Sequence, residues 1–83
     1  MSKRRAEDVL GGEVLAAFVA RLRAAMDGLS AREVGRRAGL HGSTVDRLCH
    51  GEVAPDLLTI SKLERALKAE LWPSDIAARH RVD

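Results

Sequence analysis

Arg47 shares a short helical segment with Ser43, Asp46 and His50, and this grouping is the most informative chemistry in the chain. On a helical wheel for residues 41–49, Ser43, Asp46, Arg47 and His50 occupy one arc, with Gly42 beside them. His41, Val45, Leu48 and Cys49 fall on the opposite arc, which is expected to pack inward. A strip of short polar side chains around one arginine suits a major groove about 12 Å wide. There, arginine matches the O6 and N7 acceptors of guanine, whereas adenine is normally read by Asn or Gln. The chain contains neither Asn nor Gln, so Arg47 is its one strong bidentate reader. Gly42, Ser43, Asp46 and Arg47 are therefore the candidate base-edge residues.

A second set of residues could hold a phosphate backbone. Six arginines lie between Arg21 and Arg47, against Asp27, Glu33 and Asp46. Of these, Arg32, Arg36 and Arg37 are candidates for phosphate contact, together with Lys3, Arg4 and Arg5 in a basic arm at the N-terminus. His41, Thr44 and His50 complete the candidate phosphate set. The competing reading for the arginines is a solvated face paired with Glu33 and Asp27.

Other chemistries find little support. Cys49, His50 and His41 lie close in sequence, but a zinc site needs four ligands and there is no second cysteine. No nucleophile sits with a base, no carboxylates are paired for acid–base work, and no glycine-rich loop suits a phosphate, so an enzyme is not expected, nor is a cofactor. A single cysteine excludes an internal disulfide and favours a reducing compartment, so a cytoplasmic protein is expected. No apolar run approaches the roughly 20 residues of a membrane span, and the basic N-terminus lacks the apolar stretch of a signal peptide.

The elements that must position these residues follow from composition and periodicity. With 83 residues there is room for one domain. Hydrophobic residues make up 46% of the chain but aromatics only 2%, so the core is aliphatic, which favours packed helices. Net charge is +2, mildly basic, with a pI near 9.2. Residues 1–12, ending in Gly11 and Gly12, read as a flexible basic arm, 13–80 as the domain and 81–83 as a tail. Val14, Leu15, Phe18, Val19, Leu22 and Met26 recur at helical spacing and predict a first helix over 13–26, stopped by Asp27-Gly28. Ser30 with Glu33 gives the spacing of a capping box for a second helix over 31–38, ended by Gly39. A third helix covers 41–49. Asp56 caps a fourth over 57–68, and a last short helix is expected from Leu71 to about Arg79. A tight turn between the second and third helices forces their backbones together, which explains tolerating Gly35 in a helix interior.

The run L-S-A-R-E-V-G-R-R-A-G-L-H-G-S-T-V-D-R-L-C-H-G, followed by P-D-L-L-T-I-S-K-L-E-R-A-L, resembles the Cro/XRE, or lambda-repressor-like, helix-turn-helix domain. The resemblance spans residues 14–75 and implies an all-α, five-helix bundle. Its third helix would read the major groove, while the start of the second and the loop after the third touch phosphates. Three positions depart from the family pattern: Ala31 where Gln is usual, Gly35 where Ala is usual, and Glu52 where a basic residue is common. The implied function is a sequence-specific transcription regulator, most simply a repressor of phage or bacterial type. It would bind double-stranded DNA as a homodimer on a palindromic operator. Val53, Leu57, Trp72 and Ile76 are the expected dimer surface, being apolar beyond what a four-helix core requires. The alternative is a protein-interaction module, such as an antitoxin-like partner, that keeps the fold with weak or lost DNA binding; Ala31 and Glu52 favour it.

Overall fold

The computed structural model describes residues 6–75, with side chains from Gly12 onward. Four helices follow one another: α1 (Ala6–Met26), α2 (Ala31–Ala38), α3 (Gly42–Cys49) and α4 (Leu57–Leu67). No strand occurs among the described residues. α2 packs chiefly on α3 and then on α4, and α1 lies across α3.

Each helix end has a chemical cause. The Ser30 hydroxyl accepts the Glu33 amide at 3.1 Å and starts α2. The Glu33 side chain does not return to Ser30 as a full capping box would; it turns to two arginines instead. α2 stops where Gly39 turns left-handed (φ 73°) and the Leu40 amide donates back to the Gly35 carbonyl at 2.8 Å. At α4 the Asp56 carboxylate accepts the Thr59 amide at 2.7 Å, a bond that lowers the Asp56 pKa. Asp27 and Gly28 both take positive φ, which breaks the chain sharply between α1 and α2.

The core is aliphatic apart from Phe18. Phe18 and Leu22 from α1 meet Val34, Val45, Leu48, Cys49, Ile60, Leu63 and Leu71, and no polar or charged residue among those described is buried. Leu15, Val19 and Met26 pack against this cluster, so the stripe read from the sequence of the first helix faces the core. Burial raises the pKa of the Cys49 thiol, which lies 3.2 Å from the Met26 sulfur. A protonated, enclosed thiol behaves here as a small hydrophobe.

Two expectations need correction. The N-terminal arm is shorter than twelve residues, because α1 begins at Ala6 and runs through Gly11 and Gly12. A glycine in a helix costs roughly 1 kcal/mol, which the helix formers on either side can absorb. Lys3, Arg4 and Arg5 lie outside the described residues. The five-helix count is not supported either, since Leu71, Trp72 and Pro73 are not helical. Proline disfavours the helical conformation for the residue before it, here Trp72. The Leu71 and Trp72 amides are instead taken by the Glu64 carboxylate, at 2.8 and 3.1 Å. Helical backbone resumes at Ser74 and Asp75, and the rest of the expected fifth helix, including Ile76, lies outside the described residues.

Candidate nucleic-acid interface

The α2–α3 unit is held at close range by two glycines. A Cβ added at Gly35 would sit 2.6 Å from the Leu40 carbonyl oxygen and 3.1 Å from the Gly42 nitrogen. One added at Gly42 would sit 3.1 Å from the Arg32 Cα. The first contact is the close approach that the sequence implied for Gly35. The second gives Gly42 a packing role: its open side faces α2, unlike Ser43, Asp46 and Arg47.

α3 presents the two arcs expected from its periodicity, with one exception. Val45, Leu48 and Cys49 are buried, while Ser43, Asp46, Arg47 and His50 are exposed and Thr44 is half-buried. His41, assigned to the inward arc, is instead the exposed N-cap residue of α3; its backbone carbonyl accepts the Thr44 and Val45 amides, and its ring makes no capping bond. It leaves the arc because an N-cap residue takes extended rather than helical backbone angles (φ −70°, ψ 142°). At the other end, His50 Nδ1 lies 2.7 Å from the Asp46 carbonyl oxygen and 3.7 Å from Asp46 Oδ1.

The six arginines divide into three pairs. Arg21 and Arg23 are structural: Arg21 pairs with Asp75 at 2.8 Å, and Arg23 Nε donates to the Cys49 carbonyl at 2.8 Å. That second bond ties the last turn of α3 to α1, a brace the sequence did not reveal. Arg36 and Arg37 share the Glu33 carboxylate, Arg36 through Nε and Nη2 and Arg37 through Nε. Their hydrogen bonds hold the Glu33 pKa at about 2. A depressed carboxylate pKa stabilises the fold above the ordinary carboxylate range, and that contribution is lost as the pH falls toward about 2. Arg32 and Arg47 are exposed and have no acidic partner among the described residues. The pairing expected with Glu33 is therefore present at Arg36 and Arg37, and no arginine is seen paired with Asp27.

One basic feature went unread. Lys62 and Arg65 of α4 line an open cleft with Arg36, Arg37 and Gly39, on the α4 side of α2. Helical spacing puts Lys62 and Arg65 on one turn, but only the packing of α4 on α2 brings them to the arginines.

The model of the helix-turn-helix family matches residues 19–71, more than half of the chain and all of α2, α3 and α4. The chain belongs to the Cro/C1-type helix-turn-helix family. This is a family of DNA-binding transcription regulators rather than of enzymes. No curated protein and no solved structure matched the chain. Among the described residues no helix is long and apolar enough to cross a membrane, and no group of His, Cys, Asp or Glu could hold a metal ion.

Within this helix-turn-helix domain, the departures have visible surroundings. Ala31 is half-buried and packs on the core, and Glu52 is exposed after α3. Glu33 has a consequence for binding. Glu33→Gln is expected to free Arg36 and Arg37, raising affinity for any duplex at low salt and steepening the salt dependence of the binding constant. Titration of one duplex across a salt series checks this; an unchanged slope would place both arginines away from the nucleic acid.

Proposed function

We propose that this protein represses transcription by occupying promoter DNA, with α3 in the major groove and Arg47 as its principal base reader. The observation that carries this is the unpaired guanidinium of Arg47, exposed on the polar arc of a helix whose opposite arc is locked in the core. Ser43 and Asp46 lie beside it. Arg32, His41, Thr44 and His50 flank α3 as phosphate contacts. The arm residues Lys3, Arg4 and Arg5 add sequence-independent attraction.

One such helix covers half a site, so the protein acts as a homodimer on a palindromic operator with half-sites about one helical turn apart. The apolar surface available for this is altered from the one the sequence suggested. Leu57 and Leu58 are 81% and 64% exposed and Trp72 41% exposed, whereas Val53 packs against the core. Trp72 lines a shallow groove with Val14, Phe18 and Pro55. Leu58 joins the proposed surface, Val53 leaves it, and Ile76 lies outside the described residues.

Incubation with fragmented genomic DNA, recovery of bound fragments and their sequencing tests the reading. A shared palindromic motif is the expected outcome. No enrichment over bulk DNA would favour the second reading, a protein-interaction module. The capture of Arg36 and Arg37 by Glu33 is the observation on that side.

A further inference from the structure

The exposed arc of α3 carries a carboxylate, and an interface facing phosphates has no evident use for one. Asp46 is exposed, and its carboxylate lies 3.7 Å from the His50 ring and shares a cleft with Arg23. Arg47 is adjacent in sequence but does not pair with it, and Arg23 is committed to the Cys49 carbonyl. The carboxylate is thus free to meet what the groove offers.

We propose that Asp46 reads the amino group of a cytosine, so that α3 is selective for a G·C-rich half-site; this rests on the DNA-reading function proposed above. Only two donors face the major groove, cytosine N4 and adenine N6. Adenine sets its N7 acceptor beside N6, and a carboxylate approaching that edge meets a lone pair. Cytosine presents N4 beside a C–H group, with no such repulsion. Arg47 supplies donors for guanine, Asp46 supplies an acceptor for cytosine, and no Asn or Gln exists anywhere in the chain for adenine.

Asp46→Asn tests this with almost no change of shape, at a surface position where the fold is not at stake. The full chain and the variant are each used to select duplexes from a randomised library at one pH and fixed salt. The wild-type chain should enrich G·C pairs at the α3 positions. Asn favours the N6/N7 edge of adenine, so the variant should exchange cytosine for adenine at one position per half-site, by about tenfold or more. The guanine assigned to Arg47 should stay. If the variant binds every duplex more tightly with the same ranking, Asp46 is only a repelling surface charge and the inference is overturned while DNA reading stands. If the wild-type chain enriches no sequence, DNA reading fails and this inference fails with it.

Discussion

Replacing Gly35 with alanine is expected to lower the melting temperature by roughly 5–20 °C. The added Cβ would lie 2.6 Å from the Leu40 carbonyl oxygen, well inside contact distance, and the neighbours it meets are backbone atoms of the turn, which cannot swing aside. To admit it, the turn must move away from α2. That motion strains the bond from the Leu40 amide to the Gly35 carbonyl, which closes the helix end. Alanine improves helix propensity by about 1 kcal/mol, but overpacking of this kind costs about 1–3 kcal/mol and breaking the turn adds to it. Gly12→Ala is the matching control. An added Cβ at Gly12 meets nothing within 4 Å, so the same substitution should stabilise by up to about 1 kcal/mol. Thermal unfolding of the two variants, followed by circular dichroism, should show shifts of opposite sign. Equal shifts would mean that the α2–α3 contact is looser than described.

Arg47→Ala is expected to reduce affinity for the best operator by about 1–3 kcal/mol, or roughly 5–150-fold, while leaving stability nearly unchanged. The Arg47 side chain is exposed and makes no hydrogen bond or ion pair among the described residues, so its removal leaves no buried group unsatisfied. The loss should fall on one base pair per half-site. Arg36→Ala should behave differently, with a smaller, uniform loss across all sequences, because Arg36 already shares Glu33 and can offer a duplex only charge. Binding titrations of both variants against the operator and its single-base substitutions, at fixed salt, separate the two roles. An unchanged ranking of those sites for Arg47→Ala would mean that α3 docks another way.

Much of the architecture was legible because local chemistry sets it. Ser30, Gly39 and Asp56 mark helix ends through their own hydrogen bonds or backbone angles, and the alternation of Val45, Leu48 and Cys49 with Ser43, Asp46 and Arg47 gives α3 its two faces. Local signals mislead where they have a competitor. Gly11 and Gly12 looked like a break, yet α1 passes through them. A helix is expected from Leu71, yet the restriction that Pro73 places on Trp72 and the Glu64 carboxylate hold the Leu71 and Trp72 amides outside any helix. Within the site, the Glu33 pairs follow from i,i+3 and i,i+4 spacing and were open to the sequence. The Arg23 brace on Cys49 and the exposure of Leu58 were not, because both depend on how helices far apart in sequence pack.

The central claim is that α3 distinguishes one DNA sequence from another. Its most direct test is a pair of equilibrium titrations, at one salt concentration, of the chain against its enriched operator and against a duplex of the same length and composition in shuffled order. Specific reading predicts binding to the operator at least about 10³-fold tighter. Equal affinity for the two duplexes would contradict it.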